Sequence, residues 1–130
     1  MPTFDDSARS EAPPEEVWKL LYDPARFTDW WEGFLTTEVG DGEFVFVQEE
    51  VPDFPIPHQL EARREEGSVV ISCLLHDLEF AWRLEPLDGG EATRISVHVE
   101  IPESEMSLFD RQQSVIRSSI QRLAELAAGT

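Results

Sequence analysis

Cysteine is nearly absent from this sequence: Cys73 is the only one among 130 residues. One thiol can form neither an internal disulfide nor a cluster of thiolate metal ligands. Cys73 also lies in an apolar run with no cationic neighbour in the sequence, which favours an inert buried thiol over a reactive one. The shortage of cysteine therefore excludes a disulfide scaffold.

Long apolar runs are missing as well. No stretch approaches the roughly 18 apolar residues that a transmembrane helix requires. The first residues, Met1–Asp6, have no basic region with an apolar stretch behind it, so we expect no cleaved signal peptide. These features predict a cytoplasmic protein without membrane insertion.

Positive charge is scarce: 10 basic residues face 27 acidic ones, and the formal net charge is −17. Nucleic acids and anionic membranes are bound through cationic patches, so both are disfavoured as partners. Acidic pairs such as Glu15-Glu16 and Glu65-Glu66 are interpreted as solvated surface rather than as catalytic carboxylates.

Motifs for metal or nucleotide chemistry are also lacking. The three histidines are far apart and show no ligand spacing, so we predict no metal site. No nucleophile elbow, phosphate loop or dinucleotide-binding motif occurs, and we predict no cofactor.

What the sequence does contain is apolar residues that alternate with polar ones, as in half-buried antiparallel strands. The length predicts a single domain over residues 1–130. The Pro-rich segment Val51–Pro57 is predicted to be a loop or a strand edge. The strand candidates are Thr3–Glu11, Phe34–Val39, Glu43–Glu50, Pro57–Arg64, Ser68–Leu75, Leu78–Leu87 and Ala92–Ile101, with a turn at Gly40-Asp41-Gly42.

A long helix is predicted over Ser104–Ala128, with Ser104 as its N-cap. Phe109, Gln113, Ile116 and Ile120 fall on one stripe of this helix at spacings of three and four. Strands followed by one amphipathic helix predict an α+β domain whose sheet packs one face on that helix.

The segment Ala12–Phe34 is the most specific part of the sequence. Pro13-Pro14 and Glu15-Glu16 are typical of a helix start, Asp23-Pro24 ends that helix and opens another, and Trp30, Trp31 and Phe34 follow. This pattern resembles the START-like (SRPBCC) superfamily, which includes polyketide cyclase/dehydratase-like proteins. The resemblance implies a helix-grip fold: a curved antiparallel sheet of about six to seven strands around a long C-terminal helix, with two short helices after the first strand. The first strand is more polar than expected, which indicates an edge strand.

The resemblance also implies a ligand cavity between the sheet and the long helix, although for any single residue of its wall a place in the core is favoured over ligand contact. The predicted ligand-binding residues are Trp18, Phe27, Trp30, Phe34, Phe46, Leu60, Phe80, Trp82, Val97, Val99, Phe109, Gln113, Ile116 and Ile120.

Polar residues near this cavity are candidates for chemistry. His58 shares a strand face with Leu60 and is the best candidate for proton transfer, since imidazole titrates near neutral pH. The alternative, a structural histidine that is hydrogen-bonded or exposed at the rim beside the Pro-rich segment, is favoured over catalysis. Tyr22 is a second candidate, with its hydroxyl at the cavity mouth. Arg83 and Arg94 lie on polar strand faces and should point away from the cavity.

Three functions remain open at this point. The first is binding of a small hydrophobic or aromatic molecule, such as a lipid or polyketide. The second is a cyclase or dehydratase that uses an acid–base residue in the cavity. The third is a protein-interaction module resembling a co-chaperone, for which an exposed Trp30 or Trp31 would form the contact patch. Either a monomer or a homodimer is compatible with the sequence.

Overall fold

The computed structural model describes residues 2–31, 34–39, 43–48, 51–73 and 77–129, and the side chains of residues 2–23, 25–31, 58–73 and 77–129. The predicted α+β class is confirmed. The main elements are β1 (Thr3–Ser10), α1 (Pro14–Leu21), α2 (Phe27–Trp30), β2 (Phe34–Val39), β3 (Glu43–Gln48), β4 (Val51–Arg63), β5 (Ser68–Cys73), β6 (Leu78–Leu87), β7 (Ala92–Glu100) and α3 (Phe109–Ala128). The predicted turn at Gly40-Asp41-Gly42 lies outside the described residues.

All seven strands form one antiparallel sheet in the order β1-β7-β6-β5-β4-β3-β2. Neighbours from β2 to β7 are consecutive in sequence, while β1 pairs with β7 along its whole length, from Thr3↔Glu100 to Ser10↔Thr93. The polar strand β1 is therefore an edge strand, as predicted.

One face of the sheet is apolar because the strands alternate as predicted. Leu78, Phe80, Trp82 and Leu84 of β6 are at most 6% exposed, while the residues between them point outward. The register places Trp82 between Val69 of β5 and Val97 of β7 on this inner face.

The inner face packs against α3 through Ile116, Ile120 and Leu123, each 0% exposed. The helix begins at Phe109, so the predicted start at Ser104 is wrong. Residues Glu103–Leu108 form a 3-10 segment with a non-helical residue at Glu105. This segment offers few apolar side chains, and regular helix begins where Leu108 and Phe109 reach the core.

The Pro-rich segment is part of a strand, since β4 extends from Val51 to Arg63. Within the described residues, β4 pairs with β5 only from His58↔Cys73 onward, whereas Ile56 and Pro57 pair with β3 alone. The segment lies in a strand, so the loop alternative is wrong; β4 lies between β5 and β3 in the sheet, and the strand edge stays a prediction.

Two buried hydroxyl groups of the sheet donate hydrogen bonds to α3 and to the residue before α1. Ser10 Oγ donates a hydrogen bond to the carbonyl of Ala124 in α3 at 2.8 Å, and Thr93 Oγ1 donates to the carbonyl of Ala12, just before α1, at 2.8 Å. Both hydroxyls are at most 1% exposed, so each satisfies a carbonyl that water cannot reach.

A pH-dependent contact crosses the β1–β7 pair. His98 Nδ1 lies 2.8 Å from Asp5 Oδ1, directly opposite in the register, and this hydrogen bond raises the pKa of His98. A raised pKa means that the contribution to stability is complete below the ordinary histidine value of about 6.5 and disappears as the pH rises through the folded value.

We therefore expect His98→Gln to be less stable than the unaltered protein at about pH 5, by about 1 kcal/mol or less because the pair is exposed. The difference should vanish near about pH 9, where the imidazole is neutral in both states. Denaturant unfolding at both pH values measures it, with Asp5→Asn as the partner control. A gap that widens with rising pH would contradict this assignment.

Candidate functional site

Aromatic rings from α2 and the residue after it are packed on the inner face of β6. The Trp30 ring lies 5.3 Å from the Trp82 ring, edge to face, and the Trp31 ring lies 5.2 Å from Phe80 and 5.6 Å from Trp82. Phe27 adds a further edge-to-face contact with Trp30 at 5.4 Å. We call Phe27, Trp30, Trp31, Phe80 and Trp82 the aromatic cluster.

Both adjacent tryptophans are buried, so the predicted contact patch at Trp30 or Trp31 is wrong. Trp30 is 0% exposed and Trp31 is 4% exposed. Helix α2 is a single turn that ends at Trp30, and Trp31 has an extended backbone with φ −86° and ψ 113°. The two side chains therefore do not diverge as on a continuing helix, and their rings stack 5.2 Å apart.

Much of the predicted cavity wall is closely packed core. These side chains have no appreciable free surface, so a ligand could contact them only if their neighbours moved. The set comprises Phe27, Trp30, Trp82, Val97, Val99, Ile116 and Ile120, each at most 1% exposed.

A second part of the predicted wall is only half-buried: Leu60 of β4, and Phe109 and Gln113 in the first turns of α3. Phe109 packs on Phe4, with ring centroids 5.5 Å apart. Phe4 and Leu60 are the two ends of one row of inward residues that crosses the sheet through Val99, Phe80 and Ile71. We call Leu60, Phe109 and Gln113 the open margin; Phe109 and Leu60 lie toward opposite ends of this row. The side chains of Phe34 and Phe46 lie outside the described residues.

His58 belongs to the interior. It is 3% exposed and lies on the inner face of β4, opposite Cys73 in the register and two residues from Leu60. This burial places His58 beside the half-buried Leu60 on the same strand face. The burial of His58 is compatible with both the structural and the catalytic interpretation of this residue.

The other polar candidates lie at the surface. Tyr22 is 44% exposed and stacks on Trp18 at 5.8 Å on the outer side of α1, so it does not share the enclosed environment of His58. Arg83 and Arg94 are exposed, as predicted, while His76 lies outside the described residues.

Trp18 contributes to a separate groove between α1 and the turn that joins β4 to β5. The groove holds about 310 Å³, with Leu84 and Pro86 also in its lining. An ion pair between Arg64 and Glu15, 3.2 Å apart, lies at this groove. Trp18 thus has one exposed edge outside the sheet–helix interior.

A metal centre and a membrane-spanning helix are both absent from the described part of the chain. No group of three His, Cys, Asp or Glu side chains there could hold a metal ion. None of the helices among those residues is long and apolar enough to cross a membrane.

Sequence reasoning missed two features of this region. Trp31 was assigned to either the cavity or the surface, although it is part of the aromatic cluster. The indole nitrogen of Trp82, Nε1, is buried and has no hydrogen-bond partner among the residues that the structure describes. Period-two alternation predicts that Trp82 points inward, but no sequence pattern reveals whether its N–H finds an acceptor.

The packing of Trp31 can be tested by stability. Trp31→Ala should lower the free energy of unfolding by about 3–5 kcal/mol, since a large buried ring is removed. Tyr22→Ala, which removes a partly exposed stacked ring, should cost about 1 kcal/mol. Denaturant unfolding of both variants compares them, and equal losses would show that Trp31 is not part of the packed cluster.

Comparison with known proteins identifies related sequences and folds. The family model described as "Polyketide cyclase / dehydrase and lipid transport" matches residues 10–112. This match includes α1, α2, all strands after β1, and the start of α3. No curated protein has a recognisably similar sequence.

Solved structures with the same fold include the protein XoxI from Bacillus cereus, with a TM-score of 0.81, 12% identity, and coverage of 97% of this chain and 95% of that one. The di-domain ARO/CYC protein BexL from the BE-7585A biosynthetic pathway gives a TM-score of 0.80 at 12% identity, over 96% of this chain and 46% of that one. The di-domain ARO/CYC protein StfQ from the steffimycin pathway gives 0.76 at 14% identity, over 96% and 44%. This chain therefore spans about half of each di-domain protein. At these identities the similarity shows the fold, and the helix-grip prediction is confirmed.

Proposed function

The chain belongs to the polyketide cyclase/dehydrase and lipid transport family, and from that premise we propose that it binds a small hydrophobic or aromatic molecule between the sheet and the first turns of α3. The observation that carries the proposal is the change in packing along α3. Ile116 and Ile120 are 0% exposed, whereas Phe109 and Gln113 on the same stripe are half-buried.

This change leaves apolar surface available at the first turns of α3, and Leu60 leaves a second half-buried apolar surface at the other end of the row that begins at Phe4. Leu60 and Phe109 present carbon atoms, and Gln113 offers an amide that can both donate and accept hydrogen bonds. Apolar walls with a few polar groups are typical of small-molecule sites. Binding there would bury the open margin without disturbing the fully packed half of α3.

The charge of the protein narrows the ligand class. With a net charge of −17, the protein repels anions from its surface. We therefore favour a neutral aromatic or polyketide-like molecule over a phospholipid with an anionic headgroup.

Adjacent residues of β4 give a matched test. Leu60 lies on the inner face and is half-buried, whereas Gln59 points outward and is exposed. We expect Leu60→Trp to weaken the binding of 2-ethylnaphthalene at least about tenfold by filling the site, while Gln59→Trp leaves it unchanged. Calorimetric titration measures both affinities. Native mass spectrometry of freshly purified protein would show whether a co-purified molecule is lost in the same variant.

If Leu60→Trp and Gln59→Trp bind 2-ethylnaphthalene equally well, the binding site does not include Leu60. Binding that is absent even in the unaltered protein, together with no co-purified molecule, would refute the proposed function.

A second candidate function is catalysis of cyclisation or dehydration, which the burial of His58 on the inner face favours. In this reaction the imidazole takes a proton from a carbon between two carbonyl groups of the substrate. The resulting enolate carbon forms a bond to a second carbonyl carbon, whose oxygen gains a proton, and loss of water can follow. Because Tyr22 is exposed, we assign proton transfer to His58 alone.

This second function predicts that His58→Gln lowers kcat by about 10²- to 10⁴-fold on a poly-β-keto substrate. Affinity for 2-ethylnaphthalene should remain within about twofold, because a hydrocarbon has no proton to exchange. Steady-state kinetics and calorimetry supply the two measurements. Full turnover in His58→Gln would exclude His58 as the acid–base residue and leave binding as the function.

A further inference from the structure

We infer that the indole N–H of Trp82 donates a hydrogen bond to the bound ligand, so that the ligand carries an acceptor oxygen, such as a ketone or a phenol, on an apolar body. This inference rests on the proposed binding function and specifies the chemistry of its ligand. It concerns one atom, Trp82 Nε1, in the middle of the sheet.

The Nε1 atom is an exception in a well-satisfied interior. Trp82 is 1% exposed, and among the described residues its Nε1 is the buried side-chain nitrogen or oxygen without a hydrogen-bond partner. Most buried polar groups in proteins are paired, and an unpaired one calls for a specific explanation. A donor that forms its hydrogen bond only with a bound ligand is such an explanation.

Among the described residues, the cross-strand and ring-packing neighbours of Trp82 offer its indole N–H no acceptor oxygen. Its cross-strand neighbours are Val69 and Val97, which have only hydrocarbon side chains. The strands on both sides of β6 pair with it along this region, so their carbonyls are engaged in the sheet ladder. The rings of Trp30 and Trp31 pack on the Trp82 ring, and an N–H···π contact is weaker than a bond to oxygen.

Trp30 and Trp31, whose rings pack on Trp82, differ in backbone conformation. Trp30 is fixed within α2, where its own Nε1–H donates to the carbonyl of Leu20 at 2.9 Å. Trp31 follows the helix in an extended conformation, retains 4% exposure, and contacts both Phe80 and Trp82. For a ligand to reach Trp82 Nε1, the Trp31 ring must move aside, and Phe80, which Trp31 also contacts, belongs to the row that ends at Leu60 in the open margin.

A matched pair of probes tests the inference. The ketone 2-acetylnaphthalene and the hydrocarbon 2-ethylnaphthalene have the same ring system and similar size, but only the ketone has an acceptor oxygen. We expect the full-length protein to bind the ketone about tenfold more tightly, as for one additional buried hydrogen bond.

Nuclear magnetic resonance of the ¹⁵N-labelled protein provides the atom-specific measurement. The sequence contains four tryptophans, so four indole N–H signals can be followed and assigned with single Trp→Phe variants. The Trp82 signal should move further downfield with the ketone than with the hydrocarbon. The Trp30 signal is the internal control, because its N–H already has an acceptor and should respond equally to both probes.

Variants provide a second measurement. Trp82→Phe retains an aromatic ring and loses the N–H, so it should abolish the roughly tenfold preference for the ketone over the hydrocarbon. Trp30→Phe also loses one N–H and should leave the ratio of the two affinities unaltered. If Trp82→Phe fails to fold, the indole signals of the unaltered protein still decide the question.

The outcomes separate this inference from the function on which it rests. Equal affinities for the two probes and equal shifts of the Trp82 signal would overturn the inference while supporting the binding function, and would indicate that the indole N–H faces an aromatic ring. Failure of both probes to bind would overturn the binding function and the inference together. A preference for the ketone that survives Trp82→Phe would place the donor elsewhere, for example at Gln113.

Discussion

The alternation of β6 is the constraint on which the rest of the structure depends. This strand pairs with β5 and β7 along most of its length, so its register fixes the faces of both neighbours. A slip of one residue would turn Phe80 and Trp82 to solvent and expose Glu79 and Arg83 to the core. The rings of α2 and the apolar stripe of α3 both need the face that this register provides.

Packing and the proposed ligand binding compete for the same volume in this interior. The aromatic cluster and the second half of α3 are closely packed, as protein cores are. In the proposed function a ligand would use the open margin and the one unsatisfied buried donor among the described residues, Trp82 Nε1. His58 lies in the row on one side of that of Phe80, and Trp82 lies in the row on the other side.

How much the sequence predicts depends on how local the signal is. Strands such as β6 and β7 were predicted almost to the residue because alternation reports burial directly. The N-terminus of α3 was wrong because a cap residue such as Ser104 starts a helix only where the following side chains can pack. The burial of both Trp30 and Trp31 depends on the change of backbone conformation after the single turn of α2. Whether Trp82 Nε1 meets an acceptor depends on side chains from distant segments, which no local pattern encodes.

The pairing of β1 with β7 has a consequence for how the chain acquires its fold. Strands β2 to β7 can form by successive hairpins between near neighbours, which involve short loops. Strand β1 must instead wait for β7, and Thr3 meets Glu100 only after nearly the whole sheet has been synthesised. Contacts of such large sequence separation slow folding, and an unpaired strand is open to the wrong partner in the meantime. The polar composition of β1 lowers that risk, because a nascent strand rich in Asp, Ser and Arg gains little by associating with another chain.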